Sequence, residues 1–273
     1  MLVFGDNGPF CSSERLAAPV LSTVANATAV LDLFTTEAPE HGVSDVARAL
    51  RMPKSRAHAL LTSLAAGGLL RRTEDRRYRL GWRILDMHHV LTETTDFKAQ
   101  ARAVMAHVQA QSSQVVHLAT LDGGQIRYVD KLEAQGAPRV EASRVGGRLP
   151  AHCTAVGKVL LAQLPAPEIE EIVDCQGLQR FTARTIVTPG ALAAELEEVR
   201  RQGFARDRGE VEEQLACLAA PIYDTTGRAI AAISISAPAA RMARHEAAFR
   251  QLITKAGRGV TSRLCGAGAL RCR

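Results

Sequence analysis

The N-terminal third of the sequence predicts a winged helix-turn-helix, three short helices followed by a hairpin. Two observations predict it. Apolar residues recur at helical spacing in three short runs ahead of two strand-like runs. The cations concentrate on the same segment. A chain of 273 residues has room for about two domains, and 47% apolar residues supply material for their cores. Only 4% of residues are aromatic, so those cores rely on Leu, Val, Ile and Ala.

Residues 1–20 mix Gly, Asn, Ser and Pro without period and read as a flexible arm. Helical periodicity begins near Ser22 and runs through Val30, Leu31 and Phe34. A second helix is expected in SDVARAL, with Ser44 as its cap and Asp45 at the positive end of its dipole. Val46, Ala47 and Leu50 then share one face. After Arg51 and Met52, Pro53 opens a third helix, where its missing N–H is no loss. Ala57, Leu60, Leu61 and Leu64 give that helix an apolar stripe, and Gly67-Gly68 ends it. Residues 69–72 and 77–80 read as strands joined by a turn at residues 73–76.

Between Arg48 and Arg83 ten cations face two acids, a net +8 within a chain of net +6. The positive balance therefore reads as the property of this motif, and it points to an anionic partner. With the apolar stripe inward, Ser55, Ala59 and Thr62 point outward on the third helix, Arg56 and His58 flank them, and Lys54 lies in the first turn. Small and polar groups toward base edges and cations toward phosphates suit a recognition helix on double-stranded DNA. Arg71, Arg72, Arg76 and Arg77 on the wing would reach the flanking backbone or minor groove. Beyond the wing, Trp82, Leu85 and His89 form one stripe and Ile84, Met87 and Leu91 another. A helix apolar on two faces needs more than its own domain to cover it.

The six cysteines, Cys11, Cys153, Cys175, Cys217, Cys265 and Cys272, show no C-x-x-C spacing and read as reduced thiols. No signal-peptide pattern and no apolar run of about eighteen residues is present, so a soluble cytoplasmic protein with no membrane contact is expected.

The stretch RVGGRLPAHCTAVGK, residues 144–158, invites an enzymatic reading that its spacing does not support. A phosphate loop would need Gly where His152 stands and Ser or Thr where Val159 stands. His152 and Cys153 are adjacent and so face different ways, which makes a poor nucleophile–base pair. Neither they nor His88-His89 show a recurrent metal-ligand spacing. No catalytic residue, metal or cofactor is expected. Residues 140–145 read instead as a strand, Gly146-Gly147 as a turn, and residues 155–164 as an apolar helix whose N-terminus, with the Thr154 hydroxyl, suits a carboxylate.

The succession SDVARALRMPKSRAHALLTSL, RRTEDRRYRLG, HLATLDGGQIRYVDKLE, RVGGRLPAHCTAVGKVLLA and CLAAPIYDTTGRAIAAISISAPAAR resembles the IclR-type transcriptional regulators from about Leu21 onward. The resemblance implies an α+β fold: a winged helix-turn-helix over residues 21–80, a linker helix over 81–96, and an effector-binding domain over 97–273. That last domain would be a GAF-like antiparallel sheet with flanking helices. The resemblance also implies an effector pocket that includes Thr154, Ala155, Val156, Asp207, Leu215, Cys217, Ser234 and Ser236. Ser234 and Ser236 alternate onto one face of a strand, as a lined pocket requires.

Three positions depart from the family pattern. Arg51 stands where a Gly is common, Ala59 where an Arg is frequent, and Gln214 where relatives carry Gly. With no Arg or Lys expected in the pocket and few aromatic residues near it, a small 2-oxo acid is favoured over an aromatic acid. The expected function is a DNA-binding regulator, a repressor, whose operator affinity follows a small carboxylate, working as a homodimer or tetramer. The alternatives are an enzyme built on Cys153 and an architectural DNA-binding protein that senses nothing.

Overall fold

The computed structural model describes residues 21–93, 96–134 and 143–266. They fall into two compact units divided between Thr95 and Asp96.

The first unit contains α1 (Ser22–Asp32), α2 (Val43–Ala49), α3 (Lys54–Ala66), the hairpin of β1 (Leu70–Arg72) and β2 (Tyr78–Leu80), and α4 (Arg83–Glu93). Its core is built from Val30, Val46, Ala57, Leu60, Leu61, Leu64, Leu70 and Tyr78, so the stripe on α3 packs inward as its spacing predicts. Ser44 does not cap α2. The cap lies two residues earlier, at Gly42, whose amide donates to Asp45 Oδ2 at 2.9 Å. A carboxylate three positions into the helix reaches back to the cap amide, and Ser44 is left inside the first turn. Arg51 adopts φ +49°, in the left-handed region where a side chain is strained. His41 pairs with Tyr78 in an antiparallel bridge, so the wing has a third, one-residue strand before α2. No hydrophobic period marks that element, and the sequence reading missed it.

The second unit contains α5 (Asp96–Ser112), β3 (Val115–Asp122), β4 (Gln125–Leu132), β5 (Arg148–Pro150), α6 (Ala155–Leu161), α7 (Ala166–Gln176), α8 (Pro189–Gln202), β6 (Ala205–Asp207), β7 (Leu215–Tyr223), β8 (Ala229–Pro238) and α9 (Ala239–Cys265). Six antiparallel strands form one sheet in the order β5-β4-β3-β8-β7-β6. Alternation along each strand feeds two cores. Leu118, Leu218, Ile233 and Ile235 pack with α5 and α9 on one face. Ala119, Ala219 and Ala232 pack with α6 and α8 on the other.

The strand expected over residues 140–145 falls partly on residues 140–142, outside the described residues. Residues 143–147 form a short helical turn and a bend, and the strand is β5, three residues further on. The helix expected over residues 155–164 ends at Leu161 and relaxes into turns, with Arg200 Nε donating to the Ala162 carbonyl at 2.6 Å. Gly157 sits where a Cβ would lie 2.2 Å from the Ala151 carbonyl oxygen, so the helix can pack on the preceding turn only with glycine there. Lys158 is fully buried, and its Nζ donates to Glu210 Oε1 at 2.6 Å and Glu195 Oε1 at 2.9 Å. The Gly-Lys pair that suggested a phosphate loop is therefore structural.

Candidate functional sites

On α3 the side chains of Lys54, Ser55, Arg56, His58, Ala59 and Thr62 are all exposed, opposite the buried stripe. Arg72 and Arg76 are exposed on the wing, and the Arg71 guanidinium stacks 5.4 Å from the centre of the Trp82 ring. Arg77 is placed differently. Its Nη2 donates to Asp45 Oδ2 at 2.9 Å and to the Glu40 carbonyl at 3.0 Å, which ties the wing to the start of α2. Arg79 is paired with Glu40. Arg77 and Arg79 are thus paired within their own unit, whereas among the described residues no ion pair holds Arg71, Arg72 or Arg76.

In the second unit a cavity of about 160 Å³ opens at one end of the sheet, on the α6 face. It exists because β3, β7 and β8 present small or polar side chains there. The register aligns His117 with Ser234, Ser234 with Ala219, and Ser236 with Cys217. All eight residues expected by resemblance line it: Thr154, Ala155, Val156, Asp207, Leu215, Cys217, Ser234 and Ser236. Thr154 caps α6, its oxygen accepting from the Gly157 amide at 3.0 Å, which leaves its hydroxyl proton to donate. Asp207 Oδ1 accepts from the Gly209 and Glu210 amides at 3.0 and 2.7 Å.

Two expectations about the lining need correction. Lys131 and Arg241 both line the cavity, so cations are present after all. Rings are present too: His117 and Tyr128 line it with centroids 4.9 Å apart. The signal was available in part, because His117 and Tyr128 lie in HLATLDGGQIRYVDK, on the same sheet face as Ala119. Arg241 comes from the start of α9, and no local pattern connects it to the other two.

His117 stands out chemically. Its Nδ1 lies 3.3 Å from Ser236 Oγ, while Nε2 is buried with no hydrogen-bond partner among the described residues. Burial, with the Lys131 charge, pushes its pKa down to about 3, so the ring is neutral at pH 7. Burial pushes Asp207 up to about 7 against the two backbone amides that favour its charged form. A buried polar atom left unpaired costs about 1–3 kcal/mol, a cost that a polar ligand group in the cavity would remove.

Cys153 fails the requirements of a nucleophile. Burial raises its thiol pKa, its Sγ donates to the Pro150 carbonyl at 3.4 Å, and the His152 ring bonds to the Gln179 carbonyl at 3.0 Å. Among the described residues no three His, Cys, Asp or Glu side chains gather as metal ligands. Among the same residues no helix is long and apolar enough to cross a membrane.

A winged helix with an outward polar recognition helix, followed by a sheet domain that encloses a small polar cavity, is the plan of a one-component transcriptional regulator. Comparisons with known proteins specify it further. The profile described as Bacterial transcriptional regulator IclR C-terminal matches residues 88–262, and that of the IclR helix-turn-helix domain matches residues 23–74. The chain is 33% identical over 241 residues to the HTH-type transcriptional regulator XynR of Escherichia coli, covering 88% of this chain and 95% of that one. The crystal structure of the Thermotoga maritima IclR superposes with TM-score 0.71 at 27% identity, over 90% of this chain and 99% of that one. An IclR homolog from Microbacterium hydrocarbonoxydans, complexed with 4-hydroxybenzoate, superposes with TM-score 0.79 at 27% identity, over 89% and 98%. The chain belongs to the IclR family of transcriptional regulators, a family of regulators and not of enzymes.

Proposed function

We propose that the protein represses transcription by binding a DNA operator as a homodimer, and that a small monocarboxylate in the C-terminal cavity sets its operator affinity. The observation that carries this reading is the unpartnered Nε2 of His117 inside a cavity that Lys131 and Arg241 also line. The two cations suit a ligand carboxylate, and the neutral His117 suits a hydroxyl or carbonyl on the same molecule.

The rings and the volume change the preference among acids. A dry cavity of roughly 150 Å³ admits a molecule the size of benzene, and this one holds about 160 Å³. A single-ring aromatic acid therefore fits as well as a 2-oxo acid does, and the relative complexed with 4-hydroxybenzoate supports the aromatic choice. For DNA, the reading helix offers Ser55, Ala59 and Thr62 to base edges, with Lys54, Arg56, His58, Arg71, Arg72 and Arg76 toward the backbone. A homodimer is supported by Trp82 and the helix that follows it, α4, where Leu85, Met87, Val90 and Leu91 are exposed.

A gel shift on the DNA upstream of the protein's own gene tests the reading, repeated with 4-hydroxybenzoate, benzoate, pyruvate and glyoxylate. A specific complex that one acid releases supports it. A complex indifferent to every carboxylate in the panel counts against the cavity as the controlling site, and the absence of any specific complex counts against the operator.

A further inference from the structure

The chain's positive charge is not confined to the winged helix. Residues 97–273 carry 23 cations against 17 acids, a net +6, which the total hides because residues 1–47 and 84–96 hold nine acids and one cation. Part of this second excess is concentrated at one place. A cleft of about 720 Å³ lies where the end of α8, the strand β6 and the middle of α9 meet, lined by Arg201, Arg206, Arg250, Lys255 and Arg258 with one acid, Glu198.

The construction of the cleft separates its cations into two sets. Arg201 Nη2 pairs with Glu198 Oε1 at 2.5 Å, and Arg206 Nε pairs with Glu246 Oε1 at 2.7 Å while its Nη1 bonds Gln202 Oε1 at 2.7 Å. These fixed groups form one wall. Arg201 also complements the negative end of the α8 dipole, which accounts for a cation there without any ligand. Nothing of that kind accounts for the α9 side. Arg250, Lys255 and Arg258 lie in mid-helix, and among the described residues no ion pair neutralises them. The Arg250 guanidinium instead lies over the buried Phe204 ring, 5.8 Å from its centre, with Arg206 over the same ring at 4.6 Å. Two guanidiniums stacked on one ring are held in place before any ligand arrives, at the cost of mutual repulsion.

We propose that this cleft is a binding site for a multiply charged phosphate anion, separate from the carboxylate cavity. A monocarboxylate would satisfy one fork and leave the others repelling. From Arg250 to Arg258 the α9 axis advances about 12 Å, at roughly 1.5 Å per residue, so the three free cations match a linear run of charges and not a point charge. Arginine forks favour phosphate oxygens, and Gln251 and Thr254 on the same wall add hydrogen-bonding groups. The same chemistry is offered by a small phosphorylated molecule and by a nucleic-acid backbone. The winged helix already offers exposed cations to a DNA backbone, so the small molecule is the expected source here.

The test titrates the full-length protein with inorganic tripolyphosphate at low salt by calorimetry. Beside it stand the variant Arg250→Gln/Arg258→Gln, the single variant Lys255→Gln, and the wing variant Arg72→Gln/Arg76→Gln. Circular dichroism checks that each is folded. The expected result is one site per chain, weakened at least tenfold by the double variant, weakened less by Lys255→Gln, and unchanged by the wing variant. A second arm measures the salt dependence of binding to a duplex of arbitrary sequence, with an unchanged slope expected for the double variant. If that slope instead falls by about 0.9 for each lost contact, the phosphate chemistry stands and the nucleic-acid backbone is its source. Tripolyphosphate binding that is absent, or that survives in both cleft variants, together with an unchanged DNA slope, overturns the proposal. Loss of DNA binding altogether in the wild-type protein would count against the operator reading and not against the cleft.

Discussion

Arg77 and Asp45 are joined across the first unit by a 2.9 Å hydrogen bond from Nη2 to Oδ2, so a wing residue and the first turn of α2 share one ion pair. Asp45 serves twice, since it also accepts from the Gly42 amide. Its pKa is held below the usual range first by that amide, then by the charges of Arg77 and Arg48. Arg77→Ala should therefore destabilise the unit by about 1 kcal/mol for a partly exposed pair, read as a lower urea midpoint, and leave the salt slope of DNA binding nearly unchanged. Lys54→Ala should do the reverse, with the slope falling by about 0.9 and the midpoint unmoved. A depressed carboxyl contributes stability at neutral pH that is lost as pH falls through its folded value. The difference between wild type and Asp45→Asn should accordingly shrink below about pH 4.

Arg51 at φ +49° occupies the turn between α2 and α3. Replacement by glycine removes strain of about 1 kcal/mol and adds a similar freedom to the unfolded chain. Arg51→Gly should thus leave the melting temperature within a few degrees of wild type. Arg51→Val places a β-branched side chain in the same region and should lower it clearly. Equal melting curves for both would show that the turn carries no backbone strain.

The cavity holds two groups whose titrations oppose each other. Asp207, raised to about 7, contributes stability that is present at low pH and lost as pH rises from about 4 toward 7. His117, lowered to about 3, contributes stability that is present above pH 6.5 and lost as pH falls below it. Asp207→Asn should leave a protein that weakens more than wild type between pH 6.5 and 4, and His117→Phe one that weakens less. Denaturant midpoints across that range would read both, and parallel curves would remove these groups from the pH response.

Ser234→Leu adds bulk against His117, its register partner on β3, and should fill the cavity. The response to 4-hydroxybenzoate should disappear while duplex binding stays near normal. A variant that still releases DNA at the same acid concentration would place the controlling site elsewhere.

The pairing of Lys158 with Glu195 and Glu210 is the most demanding internal contact, because all three groups are largely withdrawn from water. Lys158→Ala strands two buried carboxylates and should cost about 3–5 kcal/mol. Lys158→Met together with Glu195→Leu and Glu210→Leu should recover most of that loss. Chemical denaturation of the two variants decides it, and a mild effect of Lys158→Ala alone would show that water reaches the site.

The first unit was legible because its signals are local. The stripe of Ala57, Leu60, Leu61 and Leu64 and the turn residues around them lie within a few residues of one another. The start of α2 was missed because Ser44 and Gly42 both suit a cap, and only the reach of the Asp45 carboxylate decides between them. In the cavity, the eight residues named by resemblance do line it, but Lys131 and Arg241 escaped notice. They lie on β4 and α9, and only the order β4-β3-β8 brings them to one place. The charge balance misled for a related reason: the acids of residues 1–47 and of the linker concealed the basic second half of the chain.

That strand order also sets when the cavity can exist. β8 is made last of the six strands, yet it sits at the centre of the sheet, with β3 on one side and β7 on the other. It contributes Ser234 and Ser236 to the lining, and α9, made after it, contributes Arg241. Pairing of residues this distant in sequence is slow to form and waits for the whole domain to be synthesised. The reading helix, complete within the first third of the chain, can take shape while the cavity has no walls. A chain that stops before β8 would hold DNA-reading residues with nothing to govern them.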